Sequence, residues 1–331
     1  MSNRSTIVFG NGLGMAIDPS YFQLKSALYN VWNNPDLLSN GQKKLIQTAL
    51  PGTSDEVYPE SEDQLNELQV AIFASELLKA YETEEAPWLN ENSREIVAAF
   101  KKFIHQTSHY FHHSGKELPA KFLDPLVEYI KNSKSHVALL NYDNLLYDPL
   151  IRTKVMDGYS GTLIDGFLDD FSPKNLDRYG NKQKTLSWFL HLHGSPLFVG
   201  NKKCGGASRA FLEAEEECHV VLTHVTHKPL VIQTSDILSE YWKRFDRALS
   251  ESESIIVFGY SGLDTHLNEV IAKHGHRDIA VIEWDGSGDY EQRLSFWKKA
   301  FDGAPNLNLI QKKNILEFNY WATVIPPPIK S

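Results

Sequence analysis

The sequence predicts an α/β protein: a Rossmann-like, doubly wound parallel sheet carrying a large helical insertion. Three observations lead there. "STIVF" (5–9), "SIIVFGYSG" (254–262) and "RDIAVIEWD" (277–285) are near-continuous apolar runs that pass into helical stretches. Strands covered on both faces lose the in–out alternation, so such runs indicate a parallel sheet between helices. The ends of these runs are glycine-rich or polar. A long block of helical periodicity separates the first strand from the others. No internal repeat or low-complexity segment interrupts this order.

Each element follows from its local pattern. Residues 5–9 form the first buried strand, and "GNGLG" (10–14) is a turn. "SYFQLKSALYNVW", "QLNELQVAIFASELLKAYE" and "NSREIVAAFKKFIHQTSHYF" have helical spacing. Pro51-Gly52 and the polar stretch 54–63 are loops between them. "PAKFLDPLVEYIKN" is a helix with Pro119 near its start. From Ser135 the texture changes. "SHVALLNYD", "TLIDGF" (162–167), "SWFLHLHG" (187–194) and "KPLVIQT" (228–234) read as strands. "ILSEYWKRFDRALS", "DTHLNEVIAKHG" and "YEQRLSFWKKAF" read as helices, and "NLNLIQ" as a last strand. The end, "WATVIPPPIKS", reads as a loose tail. The expected division is a sheet domain over 1–19 and 134–322, an insertion over 20–133 and a tail over 323–331.

The 331 residues suffice for a sizeable core, and 42% hydrophobic with 23% charged residues is ordinary globular composition. A formal charge of −9 disfavours wrapping nucleic acid or coating an anionic membrane. Two cysteines, Cys204 and Cys218, cannot supply a four-cysteine zinc site, and they read as free thiols in a reducing compartment. No apolar run reaches membrane-spanning length, and the start is too weakly apolar for a signal peptide. The expectation is a soluble cytoplasmic protein without direct nucleic-acid or membrane binding. The histidines of "SHYFHHSG" and "HVVLTHVTHK" match no standard metal spacing and read as solvated or interface residues. The run "EAEEE" (213–217) reads as a solvated helix face.

Gly10, Gly12 and Gly14 follow the first strand, where glycines let backbone approach a phosphate. The spacing is G-x-G-x-G rather than the dinucleotide pattern G-x-G-x-x-G, and no second strand ends in an acid some twenty residues on, so an ordinary nicotinamide dehydrogenase is not expected. A tight turn without a ligand explains the loop equally well. Polar groups also end the later strands: Asn141, Asp143 and Asn144; His193, Gly194 and Ser195; Gly259, Tyr260, Ser261 and Asp264; Glu283 and Asp285. Asn141 and Asp143 read equally as helix caps, Asp264 as the N-cap of the next helix, and His193 as a satisfied core histidine. Their joint occurrence at the carboxyl ends of one sheet, where parallel sheets bind ligands, favours a site.

In this order, "GNGLG", "LLNYDNLLYD", "LHGS" and "GYSGLDTHL" resemble the sirtuin-type NAD-binding fold. They are most similar to its divergent bacterial branch, the sirtuin-like NADases of anti-phage defence. The resemblance implies that His193 is the general base and that Asn141 holds the water or a ribose hydroxyl. It implies that Gly10, Asn11, Gly12, Leu13 and Gly14 form the phosphate loop, with Asp143, Gly194 and Ser195 beside the cofactor. Gly259, Tyr260, Ser261 and Asp264 match a second cofactor-side loop, and Glu283 or Asp285 an adenosine-ribose contact.

These residue types suit cleavage of the nicotinamide–ribose bond, because an imidazole titrates near neutral pH and an amide fixes a nucleophile without adding charge. The chain lacks the four-cysteine zinc module of deacylating sirtuins, and the proline and Phe-Arg that follow their first loop, so water replaces acyl-lysine as the expected acceptor. The expected activity is NAD+ hydrolysis to nicotinamide and ADP-ribose, depleting NAD+ in abortive infection, with no metal. The alternatives are a non-catalytic NAD- or ADP-ribose-binding module and an ADP-ribosyltransferase. No G-x-x-x-x-G-K-S/T loop is present. By the resemblance, activation is expected from homo-oligomerisation or from a partner such as a hexameric translocase-type ATPase.

Overall fold

The computed structural model describes residues 4–50, 58–79, 87–204 and 218–324. The strands are β1 (Ser5–Phe9), β2 (His136–Leu139), β3 (Leu163–Ile164), β4 (Ser187–His191), β5 (Gly194–Val199), β6 (Lys202–Lys203), β7 (Cys218–Val220), β8 (Ser254–Phe258), β9 (Asp278–Trp284) and β10 (Leu307–Lys312). Seven of them form one all-parallel sheet in the order β10-β9-β8-β1-β2-β4-β3. The fold is α/β and Rossmann-like. From central β1 the chain passes to β2, goes out to the edge strand β3 and returns to lay β4 between β2 and β3, and later crosses back to lay β8, β9 and β10 on the other side. The reversal falls between β1 and β8, the type of crevice in which open parallel sheets hold ligands.

The helices are α1 (Gly12–Ile17), α2 (Pro19–Phe22), α3 (Leu24–Asn33), α4 (Asn40–Thr48), α5 (Leu65–Lys79), α6 (Pro87–His112), α7 (Ala120–Ser133), α8 (Tyr147–Arg152), α9 (Lys182–Thr185), α10 (Lys228–Gln233), α11 (Asp236–Glu251), α12 (Thr265–Ala272) and α13 (Tyr290–Ala300). α7 lays Phe122 against Phe258 of β8, ring centroids 5.3 Å apart. α11 packs on β1 and β4 and buries Tyr241, Trp242 and Phe245. Each such aromatic side chain contributes roughly 1.5–3 kcal/mol by leaving water.

The helices before β2 divide between two cores. Leu28, Val31, Trp32, Ile46, Leu68 and Phe103 form a separate apolar cluster, which also takes in Val220 and Leu222 from beside the sheet domain. Phe22, Phe111, Phe122, Leu126 and Ile130 belong to the sheet's own core. The expected insertion over 20–133 is therefore too wide: α7 is a covering helix of the sheet.

Three further expectations are corrected. "KPLVIQT" is not a strand but α10. Pro229 sits in its first turn, where a missing N–H costs nothing, and Ile232 is buried while Leu230 faces outward. Trp321 and Val324 are not a loose tail. Trp321 packs on Phe9, Phe122 and Phe258 in the main core. The strand expected over 187–194 ends at His191, and from Gly194 the chain enters a small antiparallel sheet, β6-β5-β7. The acidic run 213–217 and the tail beyond 324 lie outside the described residues.

Candidate functional site

The glycine turn after β1 is held by backbone. Gly10 N–H donates to Phe258 O (2.9 Å) and Gly12 N–H to Gly259 O (2.7 Å). A Cβ at Gly10 would lie 2.6 Å from the Gly259 carbonyl oxygen, and one at Gly12 2.5 Å from the Gly259 Cα. These two glycines let the β1 and β8 loops touch, and their amides are already used. Leu13 is buried in the core, and Gly14 lies against the Phe22 ring. Asn11 is exposed, and its amide donates to Phe22 O at 2.9 Å.

Asn141, just beyond β2, is buried and donates through Nδ2 to Gly10 O at 3.0 Å. Its Oδ1 is sealed from solvent and has no hydrogen-bond partner among the described residues. Leaving a buried carbonyl oxygen unpaired costs about 1–3 kcal/mol, so this atom is one that a bound molecule would satisfy. Asp143 is also buried. Burial pushes its carboxyl up to about 6, against the opposing hydrogen bonds of the Leu145 N–H and the Asn141 amide. Neither residue caps α8, whose N-cap is Leu146 without a side-chain bond. Between them, Tyr142 is half-buried. Its hydroxyl donates to Val221 O at 2.5 Å, and burial holds the phenol well above its usual range.

Beyond β4, His193 Nε2 lies 3.0 Å from Asp264 Oδ2. Among the described residues its Nδ1 makes no hydrogen bond. The pairing fits a ring that carries its proton on Nε2 and keeps the Nδ1 lone pair free, a base oriented by a carboxylate. Asp264 is the N-cap of α12, accepting Leu267 N–H at 3.2 Å. The same Oδ2 lies 3.4 Å from Lys228 Nζ of α10, which is 3.1 Å from Glu62 Oε2 ahead of α5. Burial alone would raise the Asp264 carboxyl; the His193 hydrogen bond and the charges of His193 and Lys228 outweigh it and hold the group well below the usual carboxylate range. Tyr260 locks this turn, its hydroxyl accepting Asp264 N–H at 2.8 Å.

Asn141, Gly10, Gly259, Tyr260, Asp264 and His193 thus form one connected neighbourhood at the carboxyl ends of β1, β2, β4 and β8. It is closed: His193 is 7% and Asn141 4% exposed. Other candidates do not join it. Glu283 is fully engaged by Arg293, Trp297 and Gln311, so it is not free for a ribose. Asp285 is exposed in a 3-10 turn after β9. Ser195 Oγ is buried and accepts Leu197 N–H at 3.2 Å. Ser261 is exposed. Gly194 serves backbone: its φ is +82°, and a Cβ there would lie 1.7 Å from His219 O of β7.

His191, the last residue of β4, does not share this setting. It is caged by the rings of Phe189, Phe198 and Tyr147, with centroids 5.0–5.2 Å away. Among the described residues neither ring nitrogen has a hydrogen-bond partner, and burial pushes its pKa down to about 3. The expectation of solvated histidines fails for His112 and His219, which are buried. The residues that sequence reasoning missed are Lys228, Glu62 and Tyr142. Pro229, placed for a helix start, was the available signal for Lys228. Among the described residues, no group of three or more His, Cys, Asp or Glu is arranged to hold a metal, and no helix is long and apolar enough to cross a membrane.

No family model matches the chain, and no curated protein matches it.

Proposed function

We propose that the chain is a sirtuin-like NADase that hydrolyses NAD+ to nicotinamide and ADP-ribose, with His193 as general base, Asp264 as its positioning carboxylate and Asn141 as the group that holds the attacking water. The observation that carries the reading is the pairing of an Asp264-oriented imidazole with the unsatisfied Asn141 Oδ1 in one neighbourhood at the carboxyl ends of a parallel sheet. The bond to nicotinamide breaks through an oxocarbenium-like state. His193 takes the proton of the water as it attacks, through the nitrogen that Asp264 leaves free. Asn141 orients that water through Oδ1 while Nδ2 stays anchored on Gly10 O. Lys228 is ion-paired with Glu62 and Asp264 beside His193, and in this reading those pairs part when substrate enters. Depletion of NAD+ during phage infection, set off by self-assembly or by a translocase-type ATPase, is the biological role that the motif resemblance suggests.

A non-catalytic NAD- or ADP-ribose-binding module is the second reading, favoured by the near-complete burial of His193 and the engagement of its Nε2. Purified protein incubated with NAD+ separates the two. Nicotinamide release by wild type, lost in His193→Ala and lowered about 100-fold or more in Asn141→Ala, supports hydrolysis. Equal release by wild type and His193→Ala overturns the catalytic assignment. Binding of ADP-ribose without any release supports the module. Label transferred to protein shows ADP-ribosyl transfer instead.

A further inference from the structure

A second pocket, of about 190 Å3, opens at the carboxyl end of β3, at the edge of the sheet. Its floor is apolar and buried, with Met156, Leu163 and Ile164. Its rim carries Ile151, Tyr159 and Leu168, three large hydrophobic side chains that are 38–54% exposed. One wall is polar and built. The Tyr147 hydroxyl donates to Asp165 Oδ2 at 2.5 Å, and Lys203 Nζ donates to the same oxygen at 2.7 Å and to the Tyr147 oxygen at 2.6 Å. Tyr147 is 2% and Asp165 4% exposed. The proposed hydrolysis uses none of these three residues.

We infer that this pocket binds a small neutral molecule with an apolar, flat body and a carbonyl oxygen, the oxygen being held by Lys203. The ammonium has three N–H donors and spends two on Tyr147 and Asp165, which leaves one for an acceptor. Lys203 and Asp165 already neutralise one another, and among the described residues no other cation lines the pocket, Lys182 lying over the Tyr159 ring at the rim. A charged ligand would therefore be buried without a counter-ion, which is strongly unfavourable, whereas a neutral carbonyl is not penalised in this way. The volume lies below the roughly 300–1,000 Å3 of sites for drug-sized ligands, which fits a molecule of the size of benzamide. The exposed rim gives the apolar body contact that these side chains otherwise lack. This inference does not depend on NAD+ hydrolysis.

Calorimetric titration of the full chain with benzamide and, separately, with benzoate tests it. Saturable one-to-one binding of benzamide, at least tenfold tighter than benzoate, is expected. Leu168→Trp, which fills the mouth from an exposed position, is expected to weaken benzamide at least tenfold while the circular-dichroism spectrum stays unchanged. Lys203→Met is expected to do the same by removing the donor; if that variant fails to fold, Leu168→Trp alone decides the location. No saturable binding by wild type overturns the site. Benzoate binding as tightly as benzamide overturns the ligand class, and undiminished binding by Leu168→Trp overturns the location.

Discussion

His191 ends β4 and His193 stands two residues on, in the turn that follows, and the molecule treats them as different substances. His191 faces a cage of rings, without a hydrogen-bond partner among the described residues. His193 meets a carboxylate that also carries a lysine. Their spacing alone does not tell them apart; what the other elements bring to each ring does. A histidine is a base only where a carboxylate orients it and an open nitrogen remains. Where the surroundings are apolar it is a polar filler, kept neutral.

The largest expected difference between the two rings is in activity. His193→Ala lowers nicotinamide release about 100- to 10,000-fold, the usual contribution of a general base. His191→Phe, which fills the same cage without buried nitrogens, leaves release within about twofold of wild type. A comparable loss in both variants would erase the contrast. The next effect is on folding. Gly194→Ala forces a Cβ into His219 O at a left-handed backbone position, and it is expected to destabilise the chain by about 3 kcal/mol or more, read as a lower urea midpoint.

Acid sharpens the comparison further. Burial pushes His191 down to about 3 and His109, His112 and His136 down to about 4. Their folded values lie below the unfolded value of about 6.5, so the stability they permit is complete above that pH and is lost as pH falls from there toward 4. Each contributes a slope of up to about 1.4 kcal/mol per pH unit. Thermal melts from pH 8 to 5 are expected to fall steadily, and His191→Phe to flatten the fall by one histidine's share.

The parts of the fold legible in the sequence were those decided by burial on both faces. β1, β8 and β9 are apolar throughout and were read from that alone. Asn141, His193 and Asp264 stood out as polar residues at the ends of apolar runs, and what their positions alone left open, that they lie in one neighbourhood, came from the structure. α10 was misread because Leu230, Val231 and Ile232 look like a strand, and only Pro229 argued otherwise. Lys228 and Glu62 were invisible because their partners come from α12 and from the segment ahead of α5, pairings that only tertiary structure makes. Glu283 failed for the same reason. A strand-end carboxylate looks available until Arg293, Trp297 and Gln311 close around it.

The bridge from Glu62 through Lys228 to Asp264 has a mechanical corollary. A single ammonium ties the helical bundle to the cap of α12, so bundle and imidazole cannot shift independently. Whatever pulls the bundle loose also strains the ion pairs beside Asp264, so a change far from His193 reaches the carboxylate that holds its ring.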